Sequence, residues 1–297
     1  MYLFIVNPVA GNGQGRKVWS QVEASLHQRS IPFRVEFTKR SGHAKEIARI
    51  AASQGNVSAV VAIGGDGTIH EVGNGLVHTE IPVGFIPAGS GNDFSLAQKV
   101  PSHPEQALEQ ILKHHVRRVD TADLGGRTMI GFAGIGFDGR VAETVNRSPM
   151  KGHLGRFNYI WSALQTLVRY QPTETTLTID GKPYTYQGVW LIAINNTPYY
   201  GGGMKICPQA VNTDGLLDVC CVSNLTRNQF IRIFPSVFTG RHIHHPSITL
   251  FRGKEITITS PTQSIIHVDG EVIGKTPLSL AVQPQSLSVL HPWEESS

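Results

Sequence analysis

Cysteine is scarce in this sequence: three among 297 residues, at Cys207, Cys220 and Cys221, with no CxxC spacing. An odd count without paired spacing argues against a disulfide framework. Cys220 and Cys221 are adjacent in an apolar run, where strand neighbours point to opposite faces, and all three read as packing residues of a reducing compartment. Long apolar runs are absent too. No stretch reaches the ~18–20 residues that a helix needs to cross a bilayer, so any membrane contact must be peripheral. Met1–Val6 has no basic leader and runs into Asn7-Pro8, which reads as a first strand rather than a signal peptide. Charged residues make up only 16%, and the formal net charge is +4. Without a Lys/Arg run or basic residues interleaved with aromatics, nucleic acid is not the expected partner. The small basic excess suits phosphate ligands or an anionic membrane surface. A Walker A loop and a Rossmann GxGxxG are both missing from the strand ends, which disfavours the usual P-loop and dinucleotide readings.

Glycine, by contrast, is abundant, at 31 residues, and much of it clusters where strands end. The length favours two domains, and the periodicity changes near residue 121. Over residues 1–121 strands and helices alternate. Tyr2–Val6, Phe33–Phe37, Ala59–Ile63 and Val83–Ile86 read as strands. Val18, Val22 and Leu26, then Ala44, Ile47, Ala48 and Ala51, then Ile69, Val72 and Leu76, then Ala107, Leu108, Ile111 and Leu112 mark helix faces. That order predicts an α/β domain with a parallel sheet covered by helices on both sides. Over residues 122–297 one helix is expected near Phe157–Tyr170. The rest reads as short strands: Thr175–Ile179, Tyr184–Ile194, Leu216–Val222, Ile248–Leu250, Glu255–Thr259, Ile265–Val268, Leu278–Val282 and Leu287–Leu290, with a tight turn at Asp180-Gly181. This predicts a β-rich antiparallel sandwich, with its last strand a candidate to return to the first domain and Glu294–Ser297 a frayed tail.

Three glycine- or proline-marked loops fall at the carboxyl ends of the predicted parallel strands, where open α/β sheets bind ligands. They are Asn7-Pro8-Val9-Ala10-Gly11-Asn12-Gly13, Gly64-Gly65-Asp66-Gly67-Thr68, and Pro87-Ala88-Gly89-Ser90-Gly91-Asn92-Asp93-Phe94. Without a Cβ, backbone amides can close on phosphate oxygens, and the helix that follows adds the positive end of its dipole. Thr68 and Ser90 can add hydroxyl donors, and Asp66 and Asp93 can orient loop amides or hold Mg²⁺ through water. One such loop is as readily a plain turn as a binding loop; three at one sheet edge point to a nucleotide triphosphate.

These loops together resemble the diacylglycerol kinase catalytic domain, shared by soluble bacterial lipid kinases and the eukaryotic diacylglycerol, sphingosine and ceramide kinases. NAD kinases and phosphofructokinases carry loops similar to GGDGT, so the fold expectation is NAD kinase/phosphofructokinase-like; the GSGNDF run and the β-rich second half favour the lipid kinases. The resemblance implies an ATP- and Mg²⁺-dependent kinase that phosphorylates the hydroxyl of a membrane lipid, diacylglycerol to phosphatidic acid first among the acceptors. It implies ATP contacts from Asn7, Pro8, Val9, Ala10 and Gly11, from Thr38, from Gly64, Gly65, Asp66, Gly67, Thr68, Ile69 and His70, and from Ser90. Thr38 also ends the strand Phe33–Phe37 on the same edge. Asp214-Gly215-Leu216 matches the family's magnesium segment, with the Asp214 side chain and the carbonyls of Val211 and Leu216 as ligands. Asp269-Gly270-Glu271 matches its DGE motif, whose Glu, here Glu271, is the proposed general base. His70 departs from the pattern, since many members have Asn there.

Asp66, Asp93 and Glu271 are thus the catalytic candidates. Taken alone, the two Asp-Gly pairs would be hairpin turns and Glu271 an exposed strand-end charge. Alternative acceptors are phosphatidylglycerol, a sphingoid base, a polyprenol or NAD, and a different class of reading is a nucleotide- or lipid-binding regulator without turnover. The expected location is cytoplasmic with peripheral membrane association, docking through residues Met150–Phe157 and the helix Trp161–Tyr170. A homodimer through an exposed strand edge is a further expectation. The run His242-Ile243-His244-His245-Pro246 reads as a surface loop before a strand rather than a zinc site.

Overall fold

The structure is a computed structural model that describes residues 1–147, 166, 167 and 169–292. The chain divides into two compact units, Met1–Val119 with Gln285–Ser297, and Asp120–Pro284.

In the first unit, strands β1 (Tyr2–Val6), β2 (Phe33–Phe37), β3 (Ala59–Gly64) and β4 (Val83–Pro87) form a parallel sheet in the order β2-β1-β3-β4. Val6 sits in register with Phe37 and Ile63, and Ile63 with Ile86, so the four carboxyl ends share one edge. The apolar runs are continuous because both sheet faces are covered. Phe4, Val61 and Ile63 pack with Val18, Trp19, Val22 and Leu26 of helix α1 (Ala10–Gln28) and with Ala107, Leu108 and Ile111 of helix α5 (Pro104–Leu112). The alternate residues Leu3, Ile5, Val60 and Ala62 are equally buried, on the face taken by α2 (His43–Gln54) and α3 (Asp66–Leu76). Each Val, Leu, Ile or Phe among them contributes about 1.5–3 kcal/mol by leaving water. A short helix α4 (Asp93–Ala97) follows the third loop.

In the second unit the frame is antiparallel. Strands β7 (Phe132–Gly136), β8 (Thr173–Ile179), β9 (Lys182–Asn195), β10 (Leu217–Ser223), β11 (Ile248–Gly253), β12 (Glu255–Thr259), β13 (Ile265–Val268) and β14 (Glu271–Lys275) pair in the paths β14-β13-β7-β9-β8-β12 and β9-β10-β11. Strand β5 (Val116–Asp123) reaches into this unit and makes a hairpin with β6 (Thr128–Met129). Among the described residues, apolar cores lie on both faces of β9 and β10. Leu191, Ala193 and Cys220 belong to one, with Trp190, Tyr200 and Phe230; Ile192, Ile194 and Cys221 belong to the other, with Leu177, Ile256 and Leu280. Cys220 and Cys221 thus do face opposite sides, both thiols are free, and burial pushes both well above the ordinary thiol range.

Three expectations need correction. The stretches Leu278–Val282 and Leu287–Leu290 are one strand, β15 (Leu278–Leu290). The polar gap between them marks a change of partner, from β12 at Glu255–Ala281 to β4 at Val83–Val289, instead of a turn. Helices α6 (Phe137–Arg147) and α7 (Arg227–Ile233) interrupt a half expected to be mainly strand. The seven-residue α7 is too short for a periodicity signal and starts on a capping box between Thr226 and Gln229. The histidine run is not all surface loop. It opens with a 3₁₀ turn, Arg241–His244, and His242 is 2% exposed, its Nε2 3.0 Å from the Ile206 carbonyl oxygen. The helix expected at Phe157–Tyr170 lies outside the described residues except for Thr166, Leu167, Arg169 and Tyr170, as do Met150–Phe157 and the tail Glu294–Ser297.

Candidate active site

The three glycine loops of the first unit meet. The Asn7 amide donates to the Thr68 hydroxyl at 3.1 Å, joining the first loop to the second. The Ala88 N–H donates to the Gly64 carbonyl at 2.7 Å, and the Phe94 N–H to Asp66 Oδ1 at 3.1 Å, joining the second to the third. Backbone runs against backbone at two points. A Cβ on Gly65 would lie 3.1 Å from the Cα of Gly89, and one on Gly11 would run into the Ala88 carbonyl oxygen. Only residues without side chains allow that approach. Asn92 clasps Gly89 from both sides, accepting from its N–H at 3.0 Å and donating to its carbonyl at 2.9 Å.

This convergence leaves helix starts without side-chain caps. Helix α3 starts at Asp66 after an extended Gly65 with no side-chain cap, and Asp66, in the first turn, has turned its carboxylate to Phe94. The first loop passes through three successive left-handed residues, Gly11, Asn12 and Gly13, before α1 becomes regular. At Gly13 and Gly67 a Cβ would meet nothing within 4 Å, so the backbone there is open to an approaching ligand. Uncapped helix starts and consecutive turn amides are the donors that phosphate oxygens use. The residues present therefore fit a nucleotide's phosphates.

Each candidate of the first unit has a place. Pro8 and Ala10 are half-buried, Val9 is 75% exposed on the first loop, and Ser90 is exposed on the third. Thr38 donates its N–H to the Val6 carbonyl at 2.9 Å, at the head of the first loop. Thr68, Ile69, His70 and Asp93 are buried. The His70 ring stands edge-on to Phe94 at 6.2 Å between centroids, inside the packing beneath the loops. Glu71, which the sequence did not single out, accepts from Gly42 N–H at 2.8 Å and Ala44 N–H at 3.1 Å and so caps α2.

The second unit gathers the acidic candidates by other means. Asp269 and Gly270 both have positive φ and turn β13 into β14. The Asp269 carboxylate accepts from three consecutive N–H groups, Ile130 at 2.9 Å, Gly131 at 2.9 Å and Phe132 at 3.0 Å. That clamp fixes the hairpin whose next residue is Glu271, half-exposed and ion-paired with Arg127. Asp214 accepts the Leu216 N–H at 3.1 Å with one oxygen and pairs with Arg252 through the other. Arg252 also reaches Asp218 at 3.3 Å. Burial raises the Asp218 carboxyl above the ordinary value, and Arg252 pulls it part of the way back.

The two acidic turns are tied together. Fully buried Asp120 accepts from Gly215 N–H at 2.8 Å, and its own N–H donates to the Asn212 carbonyl at 2.8 Å. The Asn196 amide bridges the carbonyls of Asp120, at 2.7 Å, and Ile130, at 2.8 Å. A continuous line therefore runs from the Asp214 turn through Asp120, Asn196 and Ile130 to Asp269. The carboxylate of Asp214 and the carbonyls of Val211 and Leu216 are hard oxygen donors close together in sequence, a set whose chemistry fits Mg²⁺ better than a softer metal.

Uncapped helix starts gathered at one sheet edge, with carboxylates held in a second unit, are the parts of a phosphotransferase. Comparison with known proteins narrows the class to lipid kinases. Residues 1–124 match the diacylglycerol kinase catalytic domain, and residues 131–291 match the YegS C-terminal NAD kinase beta sandwich-like domain. Among similar proteins are a diacylglycerol kinase of Mycobacterium tuberculosis, 31% identical over 97% of this chain and 94% of that one, and the putative lipid kinase YtlR of Bacillus subtilis, 29% identical over 97% and 98%. The crystal structure of a putative diacylglycerol kinase from Bacillus anthracis superposes with a TM-score of 0.79 at 26% identity, covering 98% of this chain and 96% of that one. The chain belongs to the diacylglycerol kinase family of lipid kinases. Among the described residues no helix is long and apolar enough to cross a membrane.

Proposed function

We propose that this chain transfers the γ-phosphoryl group of ATP to the hydroxyl of a membrane lipid, with diacylglycerol as the first acceptor. The observation that carries the reading is the meeting of the loops at Asn7–Gly13, Gly64–Thr68 and Pro87–Phe94 around open backbone amides. The amides of Gly11 and of Asp66 and Gly67, which open α3, bind phosphate oxygens, and Ser90 adds an exposed hydroxyl. Asp66 holds the second loop to the third through the Phe94 N–H, and buried Asp93 stands at the start of the helix that follows. Asp214, with the carbonyls of Val211 and Leu216, holds Mg²⁺. When bound, ATP and Mg²⁺ supply the transferable phosphoryl group and the neutralising charge that such a transfer needs. Glu271 accepts the proton of the attacking hydroxyl, and Arg127 fixes where that carboxylate points.

An apolar cavity in the second unit supports an apolar acceptor. A cavity of about 50 Å³ is walled by Phe137, Leu191, Tyr200, Phe230, Phe234 and Ile248 among others, with Asp138 and His242 also on its wall. That volume holds a few waters, so an acyl chain would have to part the wall. The wall favours a lipid over NAD.

The deciding experiment is a kinase assay with radiolabelled ATP on mixed micelles carrying diacylglycerol, phosphatidylglycerol, a sphingoid base or a polyprenol. Labelled phosphatidic acid in the diacylglycerol arm is the expected product. Label in another lipid instead would replace the acceptor, and ATP binding without any labelled lipid would favour a regulator.

A further inference from the structure

Between Asp218 and Glu255 the sequence contains no acidic residue, yet it carries Arg227, Arg232, Arg241, Arg252 and Lys254. Arg252 is turned to Asp214 and Asp218. The other three arginines are exposed, on α7 and the first residue of the 3₁₀ turn Arg241–His244. Arg227 also donates to the carbonyls of Leu167 at 3.2 Å and Tyr170 at 3.0 Å, which holds α7 in place while its charge stays at the surface. Ile231, beside Arg232, is 48% exposed, whereas Phe230 on the inner side of the same helix is buried.

The inner side of this segment is the wall of the apolar cavity. Phe230, Ile233, Phe234, Val237, His242 and Ile248 all line it. One layer, residues 227–248, therefore presents arginines and an isoleucine outward and an apolar lining inward. A cationic face with a protruding apolar side chain matches an anionic bilayer, where each basic residue near the surface gains attraction and the apolar residue enters the acyl boundary. We propose that residues 227–245 are the surface by which this chain docks on an anionic membrane, and that the lipid acceptor passes from the bilayer to the cavity across this layer. The charge pattern and the shared wall carry the assignment; the passage of the acceptor rests on the lipid kinase reading above.

Vesicle binding tests the docking without turnover. The full chain is sedimented with neutral phosphatidylcholine vesicles and with vesicles containing phosphatidylglycerol. The parent should bind the anionic vesicles far better, and Arg232→Gln/Arg241→Gln should weaken that binding by about 30-fold, since each charge near the surface is worth roughly a factor of five. Arg232→Lys/Arg241→Lys should keep most of it, and Ile231→Ser should lower it further than charge alone explains. Thermal melting checks that each variant is folded, and a kinase assay in neutral micelles should leave Arg232→Gln/Arg241→Gln equal to the parent. Binding of that folded variant within twofold of the parent would overturn the docking surface, whatever the micelle assay shows. Loss of a self-associated dimer in it, with vesicle binding intact, would also overturn the bilayer and assign the face to a second copy. A parent that docks through these arginines yet labels no micellar lipid would leave docking standing and fail only the acceptor's passage and the kinase reading.

Discussion

On the proposed function, the two units present chemistry with opposite materials. In the first, the groups offered to a ligand are backbone amides, and the polar side chains are occupied in shaping the backbone: Asp66 on Phe94, Asn92 around Gly89, Glu71 on α2. In the second, the offered groups are carboxylates, and backbone and arginines do the holding: three amides on Asp269, Arg127 on Glu271, Arg252 on Asp214. The difference teaches where each unit is vulnerable. A change in the first should act through shape and be read in nucleotide affinity. A change in the second should act through charge and be read in turnover or stability.

The largest expected effect is that of Glu271→Gln, which keeps the shape and a hydrogen bond toward Arg127 but removes the base. Turnover should fall by about 10²–10⁴-fold, with ATP affinity unchanged by equilibrium dialysis. A variant that turns over normally would take Glu271 out of the chemistry and blur the contrast. The counterpart is Gly89→Ala. Its Cβ would run into the Gly65 Cα and approach Asn92 Oδ1 to 2.9 Å, both inside the loop junction. Overpacking of this kind costs about 1–3 kcal/mol, so ATP affinity should weaken by roughly 5- to 150-fold while the melting behaviour of the second unit stays put. Unaltered ATP binding in the folded variant would break the comparison at its first term.

The same contrast explains what could be read in advance. The parallel strands and their loops were legible because each signal is local. Ala59–Ile63 is an uninterrupted apolar run, and Gly64–Thr68 follows it directly. The antiparallel frame was legible from short alternating strands, but its irregular parts were not. Strand β7 reads Phe-Ala-Gly-Ile-Gly, whose glycines imitate a loop, and they are needed because a side chain at Gly134 would overlap His267 and Asp138. The supports of the acidic turns were invisible for a different reason. Asp269 finds Ile130, Arg127 finds Glu271 and Asp120 finds Gly215 across 139, 144 and 95 positions of sequence. No periodicity encodes a pairing over that distance. The available hint was Asp120 between Val119 and Thr121-Ala122, all four buried in the structure, where a carboxylate demands a partner without naming it.

Asp269→Ala would sharpen the second half of the comparison. Three amides lose a charged acceptor in a half-buried turn, and the net cost should be about 2–3 kcal/mol. For a unit of this size that lowers the melting temperature by roughly 4–12 °C. Turnover should drop as Glu271 loses its fixed hairpin, whereas ATP binding to the first unit should persist. Melting within a degree of the parent would show that the amides find other acceptors and that the clamp is not what holds the turn.

The smallest effect concerns His242, which belongs to the cavity wall rather than to the phosphate chemistry. Burial lowers its proton affinity below the ordinary histidine value of 6.5, and the Ile206 carbonyl restores only part of it. The sign follows from linkage. Below about pH 6.5 the unfolded chain takes up a proton that the folded one resists, so stability falls as the pH drops through that value and levels off beneath the folded value. His242→Gln keeps a donor for the Ile206 carbonyl without a titrating group. Its melting temperature should therefore lose less than the parent's between pH 7 and pH 5. The difference should appear in the second unit alone, because His242 and its partner both lie there. Parallel profiles for parent and variant would mean that the ring already reaches solvent when protonated. The wall of the cavity would then open on its own, before any bilayer draws it apart.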